Sequence, residues 1–131
     1  MRKVNRFIFS LIIASILFTS GSVSFPSYAQ GRLSPEEALN HIGENQTVCG
    51  MVASTNFAAS SKGQPTFLNL NRPYPNHIFT VVIWGQYKLR FENPPEEFFN
   101  RKRICVTGEI TTYRGKPQIE VEDPTQIRMG D

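Results

Sequence analysis

Hydrophobic residues in this chain follow two regimes. From Phe7 to Ala29 no charge interrupts them, and from Gln46 onward they recur at every second position in short segments bounded by Gly, Pro, Asn and Ser. A period of two puts alternate side chains on one face of a β-strand, so the second regime predicts a series of half-buried strands. Gln46 to Ser54 reads as the first, with Val48 and Val52 on one face and Cys49 and Met51 on the other. Pro65 to Leu70 is the second, with Thr66, Leu68 and Leu70 opposed to Phe67 and Asn69. Ile78 to Trp84 is apolar on both faces, Phe79/Val81/Ile83 and Thr80/Val82/Trp84, as expected of a strand covered on both sides. Lys102 to Thr112 turns Ile104, Val106 and Ile110 inward, with Gly108 at a bend. Pro117 to Glu122 does the same with Ile119 and Val121. The predicted core is therefore Val48, Val52, Leu68, Leu70, Val81, Ile83, Ile104, Val106, Ile110, Ile119 and Val121.

Between these strands the punctuation is local. Ser34-Pro35-Glu36-Glu37 carries a Ser N-cap, Pro at the first helical position and Glu three residues after the cap, and Gly43 supplies the stop. The brief helix so bounded is expected to turn Ala38, Leu39 and Ile42 inward, with His41 beside them. Asn56 to Gln64 is a small polar loop, and the two prolines of Asn71 to Asn76 exclude it from interior strand. Within Gln86 to Asn100, Asn93 reads as the cap of a second helix with Glu96 and Glu97 near its positive end, and Phe98, Phe99 and Phe91 as plugs for one end of the sheet. Tyr113-Arg114-Gly115-Lys116 is a hairpin turn. Three strands, a helix and a two-stranded hairpin, preceded by a short helix, make the order of an all-β, five-stranded OB-fold barrel.

The first regime changes the charge picture. Arg2, Lys3 and Arg6 precede the apolar run and Ser27-Tyr28-Ala29 closes it with small residues at alternate positions, the pattern of a secretory signal cleaved after Ala29. The apolar run Phe7 to Phe18 would span roughly 18 Å as helix, short of a ~30 Å hydrocarbon core, so stable membrane insertion after cleavage is not expected. The reading is residues 1–29 as signal, 30–33 as linker and 34–131 as one domain, secreted or periplasmic. The whole chain carries a net charge of +3, but removing the three leader cations leaves eleven Lys and Arg against eleven Asp and Glu. Affinity for a polyanion must then come from local placement of charge, not from bulk basicity. Asn45-Gln46-Thr47 is a formal glycosylation sequon, relevant only in a eukaryotic secretory pathway.

The segments TVCGMVASTNFAASSKGQPTFLNL, FTVVIW and ICVTGEITTYRGKPQIEV together resemble a bacterial secreted OB-fold family of the nucleic-acid-binding type, similar to modules fused to extracellular nucleases. The likeness spans Ala38 to Ile127, and Gly108 to Ile119 is its most specific part. It implies single-stranded DNA or RNA as the ligand class, bound weakly and without strong sequence preference. The rival readings are an envelope protein-interaction module and an oligosaccharide-binding one using the same barrel face. OB-folds bind ligands on the face of strands two and three, flanked by the loops between strands one and two and between strands four and five. On this chain that surface maps to Lys62, Phe67, Asn69, Thr80, Val82, Trp84, Tyr113, Arg114 and Lys116. Phe67, Trp84 and Tyr113 would stack bases while Lys62, Arg114 and Lys116 neutralise phosphates. Trp84 and Phe67 have an alternative role as packing under a helix or loop.

The inventory for catalysis is thin, and no enzyme activity is expected. His41 and His77 are the only histidines and no Cys/His spacing suits zinc, so neither a metal nor another cofactor is predicted. The pairs Glu36/Glu37 and Glu96/Glu97 are adjacent on helices and cannot face one another. Ser60 and Ser61 lie in a loop with no strand–turn–helix elbow around them. Cys49 and Cys105 are either two small buried residues or one disulfide. The second reading gains from topology, because strands one and four of an OB barrel are neighbours and both cysteines fall on the outward parity.

Overall fold

The computed structural model describes Gly31–Asp131 together with Ser15 and Gly21–Val23. The leader and its cleavage site at Ser27–Ala29 lie outside the described residues apart from those few positions. Six strands form: β1 (Asn45–Phe57), β2 (Thr66–Leu70), β3 (Thr80–Ile83), β4 (Arg103–Tyr113), β5 (Lys116–Glu120) and β6 (Ile127–Met129). Two one-turn helices, α1 (Gly85–Lys88) and α2 (Pro95–Phe98), join β3 to β4. β1 runs antiparallel to β2, β2 to β3, and β3 parallel to β5. β5 is antiparallel to β4, and β4 returns antiparallel to β1 and closes the ring. A closed ring in the order β1-β2-β3-β5-β4 is the OB-fold barrel.

Closure with five strands depends on two long ones, each serving two neighbours. β1 pairs with β4 from Asn45 to Met51 and with β2 from Val52 to Phe57, and its register slips between Val52 and Ser54 where it turns the corner. β4 pairs with β1 from Arg103 to Glu109 and with β5 from Ile110 to Tyr113. Gly108 sits at that crossover, where a Cβ would lie 2.7 Å from Cγ2 of Ile119. All eleven residues of the expected core are fully buried, joined by Ala38, Phe79, Phe99 and Ile127.

Cys49 and Cys105 stand directly opposite on β1 and β4 and form a disulfide, with Cα atoms 4.0 Å apart. The Cys49 N–H donates away from β4, to the carbonyl of Leu33, so the two cysteines are a non-hydrogen-bonded pair, the closer of the two antiparallel alternatives.

The helices depart from expectation in ways their length explains. After Ser34 the chain makes a turn and then only a 3-10 segment, Ala38–His41. The Ser34 hydroxyl donates to Glu37 Oε1 at 2.9 Å, where the expected capping box would have it accept from backbone. With three residues per turn, one turn directs one side chain inward. Ala38 is buried, whereas Leu39 and Ile42, expected inside, are 55% and 42% exposed. The expected single helix after β3 is split into α1 and α2, and the cap of α2 is Pro94, not Asn93. Phe99 is buried edge-on against Phe91 and Phe98, while Phe98 stays exposed beneath the Lys102 ammonium.

Both ends of the domain add pairing that periodicity did not reveal. Leu33, read as linker, forms a parallel bridge with Val48, donating to Thr47 and accepting from Cys49. β6 adds to the free edge of β4, after a 3-10 turn (Pro124–Gln126) capped by Asp123. Three residues are too few for an alternation to register in sequence. No helix among the described residues is long and apolar enough to cross a membrane.

Candidate functional site

The outer face of β2, β3 and β5 forms the floor of a groove of about 800 Å3. Register builds it rung by rung. Asn69, Thr80 and Gln118 occupy one rung, and Phe67 lies on the neighbouring rung with Asn56 opposite it on β1. Tyr113 and Lys116 face one another where β4 meets β5, at the hairpin end. The turn between them places Arg114 at φ 50° and Gly115 at φ 76°, the two left-handed residues of a type I′ hairpin. That geometry holds the Arg114 guanidinium 5.2 Å from the Tyr113 ring centroid.

Of the residues expected to bind ligand, Phe67, Tyr113, Arg114 and Lys116 meet in this groove. Phe67 is half-buried and Tyr113 is 61% exposed, so a ring face remains accessible. Lys62 is exposed next to Ser61, which lines the groove, and does not itself line it. Asn69 also lines the groove, on its floor, but its amide is already engaged. It is 4% exposed, its Oδ1 accepts from the Thr80 hydroxyl at 2.8 Å and its Nδ2 donates to the Ser54 hydroxyl at 3.0 Å. Val82, expected to face outward, is 2% exposed.

Trp84 is the clearest displacement. Its ring packs on Gly63, where a Cβ would stand 2.9 Å from the ring, and it lines a separate hollow with Gln64, Gly85 and Gln86. Strand parity assigns Trp84 to the face of Thr80, but β3 ends at Ile83, so the alternation no longer governs the residue after it.

Sequence reasoning missed one wall. Tyr74, Pro75 and His77, from the segment between β2 and β3, line the groove. The proline pattern identified this stretch as loop, and nothing in it indicated the direction of its fold. The loop is held down by the Tyr74 N–H, which donates to the Ser54 hydroxyl at 3.0 Å, and by Lys116 Nζ, which donates to the Pro75 carbonyl at 3.3 Å. The rings of Tyr74 and His77 stack with centroids 5.4 Å apart. Burial lowers the His77 pKa below its ordinary 6.5, and the nearby Lys116 charge lowers it further.

Electrostatically the groove is one-sided. Among the described residues its lining includes Arg114, Lys116 and His77 and no carboxylate. No group of three or more His, Cys, Asp or Glu among the described residues could hold a metal ion.

No family model matches the chain, and no curated protein matches it. Solved structures similar to it include a chain described as a putative aspartyl-tRNA synthetase from Leishmania major Friedlin, at TM-score 0.47 and 13% identity over 82% of this chain. Another is an aspartyl-tRNA synthetase from Entamoeba histolytica, at TM-score 0.47 and 16% identity over 79% of this chain. This chain spans 22% of the length of each.

Proposed function

We propose that this protein binds single-stranded nucleic acid in the groove over β2, β3 and β5. The observation that carries the reading is a groove with Phe67, Tyr74 and Tyr113 as aromatic surfaces and Arg114 and Lys116 as cations, free of carboxylates among its described lining. Stacked bases need flat faces, at about 1–3 kcal/mol each, and phosphates need uncompensated cations close by. An oligosaccharide site would pair its aromatic platform with Asp and Glu as acceptors for sugar hydroxyls, and these acids are missing from the described lining. The reading agrees with the likeness to the nucleic-acid-binding type of OB module.

Two groove cations on a domain that is formally neutral overall favour weak binding that salt removes easily. Export is part of the same proposal. The Cys49–Cys105 disulfide supports an oxidising destination such as the periplasm or the exterior. Fluorescence anisotropy of the domain from Gln30 onward against labelled single-stranded DNA and RNA, at low and moderate salt, tests the function. A rise at low salt that fades at moderate salt is expected. No change with either polymer at low salt overturns it and leaves a protein partner as the reading of this face.

A further inference from the structure

The groove contains two side chains whose chemistry neither stacking nor phosphate contact uses. Asn56 stands directly opposite Phe67 across β1 and β2, and Gln118 lies diagonally from Phe67 on the neighbouring rung, beside Thr80 across β3 on β5. Directly opposed residues on one face bring their Cβ atoms within about 4.5–5.5 Å, and two strand spacings together with the two-residue offset put Gln118 roughly 12 Å from Phe67 along the sheet. Both carboxamides line the groove, Asn56 exposed and Gln118 half-buried. The contrast with Asn69 is informative, since its amide is consumed by Ser54 and Thr80, whereas no described residue hydrogen-bonds the side chain of Asn56 or Gln118.

We propose that Phe67, flanked by the free carboxamides of Asn56 and Gln118, is a base-reading subsite, so that binding carries a preference for one base at one position. The inference rests on the nucleic-acid reading above. A base stacked on Phe67 lies over the sheet between the two strands that carry these amides. A carboxamide offers a donor and an acceptor side by side, the pattern that pairs bidentately with a base edge and, in its commonest form, with adenine. Arg114 and Lys116 cannot supply this preference, because a phosphate contact carries no base information.

The test compares short homo-oligomers of dA, dC and dT by anisotropy at one low salt concentration, for the wild-type domain, Asn56→Ala, Gln118→Ala and the double variant. Repeating the wild type and the double variant at a second, moderate salt concentration supplies their salt slopes. A spread of about tenfold among the bases is expected for wild type, with dA tightest. The double variant should narrow the spread to about twofold by losing affinity for the favoured base, while the salt slope stays that of wild type. Asn56→Ala alters an exposed side chain and carries the same comparison if the double variant melts early. Equal wild-type binding to all three oligomers, or a spread that survives in the variants, overturns the subsite and leaves nucleic-acid binding standing. No binding to any oligomer overturns both.

Discussion

At the scale of single residues, the groove separates three kinds of contribution that mutation can distinguish. Arg114→Ala should weaken binding to all single strands alike and flatten the plot of log affinity against log salt by about 0.7, because one phosphate contact is lost. Phe67→Ala should cost about 1–3 kcal/mol of binding and leave that slope unchanged, as expected for a stacking surface without charge. Trp84→Ala should leave affinity intact and lower the melting temperature, since its ring is engaged with Gly63 away from the groove. Anisotropy titrations at several salt concentrations, with thermal melts of each variant, check all three.

His77 makes a residue-scale prediction about pH. Its pKa is lowered below 6.5 in the folded protein, first by burial and then by Lys116. The unfolded chain therefore takes up this proton more readily than the folded one, and folding is favoured by neutrality of the ring. The contribution is fully present above about pH 6.5 and is lost as pH falls through the lowered folded value. The titratable and charged groups around the ring are Lys116, Tyr74 and, across the groove, Arg114 and Tyr113, with no acid among the described lining to offset a new charge. Melting temperatures between pH 7.5 and 5 should fall for wild type more than for His77→Gln, and parallel curves would refute this.

At the scale of elements, the barrel depends on the two strands that serve two partners each, and the disulfide staples them together. Cys49 and Cys105 are 56 residues apart, so the chain-entropy account assigns the cross-link about 4 kcal/mol of stability. The double variant Cys49→Ser, Cys105→Ser should lose a comparable amount in urea unfolding, and an unchanged midpoint would show that closure does not need it. Gly108 belongs to the same scale. Gly108→Ala places a methyl 2.7 Å from a side-chain carbon of fully buried Ile119, at the point where β4 changes partners. The neighbouring side chain must shift inside a filled core, and a loss of about 1–3 kcal/mol is expected from the same unfolding measurement.

The element scale also shows where patterning is reliable. The five barrel strands were legible, although β1 runs on through Asn56 and Phe57 where a loop was expected, and so was the hairpin turn at Arg114-Gly115, because both depend on neighbours in sequence. Strand β6 and the 3-10 form of the expected first helix, Ala38–His41, were not, since a turn or three residues of strand contain no full period. Their stability comes from contacts with distant residues. Asn71 donates to Glu36 and accepts from the Met51 N–H, tying the N-terminal turn to the barrel. Gln126 bonds to the Glu122 and Asp123 N–H groups and to the Thr107 carbonyl, directing the chain into β6.

At the scale of the whole molecule, charge balance and charge placement part company. The domain after Ala29 is formally neutral, yet its groove has cations and no described carboxylate. Binding should therefore be governed by two or three cations and show a shallow salt slope, of magnitude about 1.4 to 2 for single strands. A much steeper slope would mean that cations outside the groove, such as Arg101-Lys102-Arg103, take part. The leader belongs to this scale as well. Exported protein should have an intact mass beginning at Gln30, and material that begins at Met1 would overturn the cleavage reading.

The sequence by itself determined the barrel core, because residues that alternate along a strand must share a face whatever lies beyond it. It also determined the order of the five barrel strands along the chain and the candidate cysteine pair, since punctuation and outward parity are local properties. The ligand face was only partly accessible in this way. Phe67, Tyr113, Arg114 and Lys116 could be assigned to it from parity and turn position. Whether Asn69 was free, where Trp84 pointed past the end of β3, and how Tyr74 and His77 folded over the floor depended on partners far away in sequence. Those partners, Ser54, Thr80, Gly63 and Lys116, reach these residues only when the chain has closed on itself. Alternation along a strand identifies which way a side chain faces, and only the closed barrel decides whether that face is already occupied.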